Sequence, residues 1–343
     1  MKSRFLLLLA VMPLSIGIST AQSNGDYVTP RNEHGQPDLS GVWNFSSNTP
    51  MQRPERFGTQ EFLTPEQLEA ELERQASRAE AADTRAAKRN TNPDLPPTGP
   101  KVLGYNDFWF ETQGLSENVR TSHIVYPLNG RIPAAVEGAP EQRGNQISDT
   151  PGERPVRFTV GGIAKGGPED RGLSERCIVG FNAGPPFVPS LYNNNVQIFQ
   201  NKDSAVILTE MIHDARIVPL IDRTPLDDNI RLWSGDSRGY WDGDTLVVET
   251  RNFNGLRQVF GTIGTNYNMV LTERFTRTAY DAVTYEFTVD DPTTFTDKIS
   301  VVVPMTKVAG QIYEYACHEG NYGMANTLRG ARVEERMASQ AGN

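Results

Sequence analysis

The chain has 343 residues, 22% of them charged and 37% hydrophobic, and its formal net charge is −9. An acidic chain repels phosphate, and its Lys and Arg residues are scattered, so neither nucleic acid nor an anionic membrane surface is expected as a partner. The length suits one large β domain or two smaller ones.

Lys2 and Arg4 precede the apolar run Phe5 to Met12, which fades through Pro13 into Ser19-Thr20-Ala21, a small-x-small cleavage site. Residues 1–21 are therefore expected to be an export signal, and the protein to be periplasmic or secreted. Cleavage would remove Lys2 and Arg4 and move the net charge to −11. No second apolar stretch of spanning length follows, so no membrane span is expected. In an oxidising compartment the two cysteines, Cys177 and Cys317, are expected to pair. Closing so long a loop contributes on the order of 4 kcal/mol in the chain-entropy model. A zinc pair would need more ligands at closer spacing.

Residues 22–100 read as a lead-in strand, a helix and a connector. Leu39 to Phe45 is the strand. Thr64-Pro65-Glu66-Gln67 predicts a helix start, with Thr64 as cap, Pro65 in the first turn and Gln67 closing a capping box. The helix should reach about Arg89, with Leu68, Leu72, Ala76 and Ala79 as a thin apolar side. Asn90 to Pro100, with four prolines, is a stiff connector.

Residues 101–343 read as antiparallel β structure of the same domain. Phe108 to Glu111 and Arg120 to Tyr126 are strands, Asn129-Gly130 is a turn, and residues 137–175 form a long loop fit to be a lid or binding loop. Further strands are expected at 196–200, 205–210, 215–220, 240–241, 245–250, 271–278, 283–289, 299–303 and 312–317. Asp242-Gly243 marks a hairpin. Thr284 to Val289 alternates with period two, which buries one face. Strands joined by turns rather than helices imply an antiparallel barrel or sandwich.

Gly35 to Trp43, Trp233 to Val248 and Cys317 to Tyr322, in this order, resemble a family of exported bacterial proteins found in soil and aromatic-degrading bacteria. The resemblance covers most of the mature chain and implies no particular activity. Gly41-Val42-Trp43 also resembles the opening Gly-x-Trp of lipocalin-type (calycin-like) barrels, in which the Trp plugs one end beneath an Arg from a late strand. That resemblance implies a mainly β antiparallel barrel with one peripheral N-terminal helix and long loops. Arg274, Arg277 or Arg329 would be the Arg.

Tyr105, Asn106 and Trp109, followed by Arg120 and His123, supply aromatic faces, an amide, a guanidinium and an imidazole within a short span, as a pocket lining needs. The blander alternative is a strand with core aromatics and an Arg paired to a carboxylate. His318 and Tyr322 follow Cys317, whose disulfide would pin their turn. His318 would move protons near neutral pH, or else bond a backbone carbonyl at a strand end. Asp236, Arg238, Asp242 and Asp244 fit an Arg–Asp clamp between strands better than a calcium loop. No phosphate loop, Gly-x-Ser-x-Gly elbow or His-Glu-x-x-His occurs, so no cofactor and no metal is expected.

Two functions are therefore expected. One is a cofactor-independent lyase or isomerase acting on a hydrophobic, phenolic or aromatic small molecule, with His318 and His123 as acid–base groups and Arg120, Tyr322, Tyr105, Asn106 and Trp109 binding substrate. The alternative is a non-catalytic lipocalin-like carrier of such a molecule.

Overall fold

The computed structural model describes residues 27–83, 119–141, 165–257, 259–261 and 263–341. Its centre is an antiparallel sheet of ten strands. In chain order these are β1 (Gly41–Asn44), β2 (Ile124–Tyr126), β3 (Asn195–Gln200), β4 (Ser204–Thr209), β5 (Ala215–Pro219), β6 (Asp236–Asp242), β7 (Thr245–Arg251), β8 (Val270–Ala279), β9 (Ala282–Asp290) and β10 (Ile299–Val308). The spatial order is β5-β4-β3-β1-β10-β9-β8-β7-β6, with β2 pairing β10 off this path.

Period-two patterning makes the sheet one-sided. Leu271, Phe275, Val283, Tyr285, Phe287, Val301, Val303 and Met305 alternate with partly exposed neighbours and join one core with Trp43, Phe45 and Ile198. Asp242 pairs Thr245 across a two-residue turn in which Gly243 has φ +61°, the left-handed region that favours glycine.

Among the described residues the backbone ladder does not close, so the expected barrel is not formed by hydrogen bonds: β5 and β6 are its unpaired ends. The sheet nevertheless curls. Arg216 of β5 bonds Glu273 of β8, the sixth strand along from it, which requires the inner faces of those strands to meet. The two end strands touch through side chains: a Cβ on Gly239 of β6 would lie 2.8 Å from carbons of Val218 and Leu220. Only glycine permits that approach, and each edge is thereby shielded by the other.

Trp43 is fully buried and donates its indole N–H to Leu39 O at 2.8 Å. The guanidinium above it belongs to Arg277, whose carbon is 5.6 Å from the ring centroid. Arg277 is fixed by Asp38 O (2.8 Å) and Tyr280 O (2.7 Å). Arg274 instead pairs with Asp242, joining β8 to β6, and Arg329 lies in a C-terminal helix.

The first helix, α1 (Pro65–Asp83), starts as expected. Thr64 N–H donates to Gln67 Oε1 (2.8 Å) and Gln67 N–H to Thr64 Oγ1 (3.3 Å), the reciprocal capping box. Its expected last turns, the connector, the Phe108–Glu111 strand and most of the 137–175 loop lie outside the described residues. Two expectations are corrected. Residues 312–317 form no strand, and Tyr322–Ala341 form a second helix, α2.

Cys177 and Cys317 are joined by a disulfide, with Cα atoms 5.8 Å apart. Such a bond points to a compartment outside the cytoplasm. Asn321 reinforces it by donating to Glu175 O (2.9 Å), and Arg332 of α2 donates to Lys165 O (2.7 Å). The C-terminal arm is thus fastened to the 165–177 segment. Cys177→Ser with Cys317→Ser should lower unfolding free energy by about 2–4 kcal/mol in urea titrations, because the bond closes a loop with a sequence separation of 140. Equal midpoints for parent and variant would show the bond to be thermodynamically idle. No described helix is long and apolar enough to cross a membrane.

Candidate functional site

The inner face of the curled sheet carries charge where its period-two pattern calls for apolar residues. Glu273 occupies the same face of β8 as Leu271 and Phe275 and is fully buried. Arg216 shares the inner face of β5 with Val218. Their side chains form a bidentate pair, Arg216 Nη2 to Glu273 Oε1 at 2.9 Å and Nη1 to Oε2. Tyr285 of β9 donates its hydroxyl to Glu273 Oε1 (2.8 Å) and accepts the Phe187 N–H (3.1 Å). Ser237 of β6 and Thr250 of β7 bond each other at 2.8 Å, with Arg216 Nη1 3.5 Å from Thr250 Oγ1. Five strands thus meet in one buried polar cluster.

A second guanidinium stands beside the pair. Arg257, from the segment after β7, is wholly buried and donates to Trp233 O (2.9 Å), Gly184 O (2.7 Å) and Pro185 O (3.1 Å). Its Nε is buried without a hydrogen-bond partner. Burial, with Arg216 nearby, pulls the Arg257 pKa down to about 10, against the attraction of Asp214 and Glu273. At Arg216 burial also opposes the charge, but the Glu273 carboxylate outweighs it and holds the pKa above its ordinary value. Burial, and then Glu273, keep the Tyr285 phenol protonated far above its usual range.

The loop that supplies Gly184, Pro185 and Phe187 is itself held. Buried Asn182 donates to Tyr192 O and Asn193 O, each at 3.0 Å. Ala183 packs with Cys177, Met211 and Ile212 beside the disulfide. Aromatic rings surround the cluster: Phe187 lies 5.5 Å from Tyr285 and Phe275 lies 4.8 Å from it, centroid to centroid.

Four of the expected site residues are described, and they stand in different settings. His123 is in the core, its Nδ1 donating to Val302 O at 2.7 Å and its Nε2 buried without a partner. Burial pulls its pKa down to about 4, with the Arg120 charge adding to the effect and the Val302 bond resisting it. His318 is exposed in the turn before α2, and Tyr322, 73% exposed, begins that helix. Arg120 pairs with Glu61 and stacks 4.6 Å over Phe62, tying residues 61–62 to its own segment. Tyr105, Asn106 and Trp109 lie outside the described residues. The expected Arg–Asp clamp between strands is not made by Arg238, which bonds Asp236 (2.9 Å) on its own strand and Thr224 O (2.8 Å); the pair that joins two strands is Asp242 with Arg274, and Asp244 meets Arg31.

His123 gives the fold a pH dependence of known sign. Its folded pKa is below the unfolded value of about 6.5, so the neutral-imidazole contribution is complete above pH 6.5 and is lost as pH falls towards 4. The loss should be about 3 kcal/mol. His123→Asn can still donate to Val302 O but does not titrate. Denaturant unfolding at pH 7 and pH 4.5 should show a clearly smaller loss in the variant, and equal losses would contradict the assignment.

Comparison with family models, curated proteins and solved structures finds no match to this chain. Sequence reasoning missed Arg216, Glu273, Tyr285 and Arg257, although for Glu273 the signal is present: a carboxylate at the apolar phase of an alternating strand. An open basin of about 280 Å³ between the Glu55–Phe57 turn and α1, lined by Arg56, Phe57, Gln67 and Arg74, is the contrasting surface feature.

Proposed function

We propose that this chain is a periplasmic or secreted carrier of lipocalin type, holding a small aromatic molecule inside its curled sheet as a barrel holds its ligand. One observation carries the reading: two buried arginines, Arg216 and Arg257, with an aromatic surround, lie within a one-sided sheet whose core also holds Trp43 against the Arg277 guanidinium. The Gly-x-Trp resemblance and the export signal expected at residues 1–21 agree with it. For the acid–base enzyme reading, His123 is a buried imidazole held neutral near pH 7 and His318 is exposed, which favours the carrier of the two.

The test incubates purified mature protein with a panel of phenolic and aromatic acids, without cofactor, and follows binding by calorimetry and products by mass spectrometry. Saturable one-to-one binding with unchanged ligand is expected. Product formation would restore the enzyme reading, and absence of binding across the panel would remove the carrier.

A further inference from the structure

The charge inventory inside the sheet, on the carrier reading above, specifies what the ligand bears. Two guanidinium groups, Arg216 and Arg257, are buried in the cluster, against one fully buried carboxylate, Glu273. Glu273 gives both oxygens to Arg216 and one of them also to Tyr285. Arg257 has only the neutral carbonyls of Trp233, Gly184 and Pro185. Asp214, half-buried, accepts from Ser234 Oγ at 3.0 Å and forms no ion pair with Arg257. A buried cation without an anion at bonding distance is costly, and so is a buried N–H without an acceptor. Both costs fall on one side chain, and its orphaned Nε–H lies on the edge shared with Nη2.

We infer that this edge is the receptor for a carboxylate on an aromatic ligand, which accepts the Nε–H and Nη2–H of Arg257 side-on. A carboxylate there would satisfy the orphaned Nε and neutralise the surplus guanidinium, as paired charge-assisted bonds do. It would also replace the Gly184 and Pro185 carbonyls on Nη2. Arg257 is sealed from solvent, so those carbonyls must move for the ligand to enter. The Gly184–Phe187 segment is the door on this account. It holds the cluster shut through two carbonyls on Arg257 and one N–H on Tyr285. Phe187, 5.8 Å from the Arg216 guanidinium, is the ring placed to meet the ligand's own.

The experiment titrates the disulfide-bonded protein with 2-naphthoate and with its neutral isostere 2-naphthamide by calorimetry. The parent should bind the acid at least tenfold tighter than the amide, and Arg257→Met should bring the two to parity. A folded Arg257→Met that keeps the preference would overturn the assignment. The second measurement needs no variant: hydrogen exchange of the peptide containing Gly184 and Phe187 should quicken when the parent is saturated with naphthoate. Unchanged or slower exchange there would overturn the displacement of the segment. Equal affinity for acid and amide in the parent would overturn the carboxylate site while leaving the carrier reading intact. If neither probe binds, this inference falls, and the carrier reading falls with it only when the wider aromatic panel also fails to bind.

Discussion

Glu273→Gln should destabilise the protein by about 3–5 kcal/mol, the cost of leaving a buried guanidinium without its counter-charge. The amide keeps the shape of the side chain, but its Nε2 would point N–H groups at the Arg216 fork. Tyr285 can still donate to the remaining oxygen, so the loss is electrostatic rather than a loss of packing. Replacing both partners, Arg216→Met with Glu273→Leu, should recover most of it, because two apolar side chains remove the uncompensated charge. Denaturant titrations of parent, single and double variants check this. A single variant as stable as the parent would mean that the pair is not the dry ion pair described here.

Trp43→Ala should cost about 3–5 kcal/mol, the range for deleting a large core side chain. Trp43 has no exposed surface, and its loss opens a cavity bounded by the core and the Arg277 guanidinium. It also leaves the Leu39 carbonyl without its indole donor. Trp43→Phe, which keeps a ring beneath the arginine, should cost markedly less. If both variants melt with the parent, the Trp43–Arg277 contact does not support the fold.

The strands were legible because one face is buried and the other wet: the period-two alternation of β8 and β9 sets both their extent and their inward set. The capping box at Thr64 and the turn at Gly243 were legible for a similar reason, since local chemistry alone decides them. Closure was not, because whether the end strands exchange backbone bonds depends on how far the sheet curls. At the seam the side chains of Val218 and Leu220 pack over Gly239 instead. The Tyr and Ile residues at 312–317 have β propensity but no partner strand, and propensity without a partner does not make a strand. Helix α2 was hidden by Gly323 and Gly330, although Met324, Leu328 and Ala331 keep helical spacing.

The site was less legible than the fold. His123 reads as catalytic in a polar-aromatic string, but its depth is set by a partner 179 residues away, Val302. Arg216 and Glu273 are 57 residues apart and meet only because the sheet curls. The alternation does mark Glu273 as inward, and an inward carboxylate requires a buried cation. Nothing in the sequence selects Arg216 over the other arginines.

Whether ligand is held within the curled sheet is tested by photoaffinity labelling with an aryl-diazirine analogue of the tightest-binding aromatic acid, followed by peptide mapping. The account predicts cross-links to the 184–187 segment and to inward residues of β8 and β9, and their loss when unlabelled ligand competes. Competable labelling confined to the basin beside α1, or to the outward row Phe199, Val206 and Ile217, would contradict it.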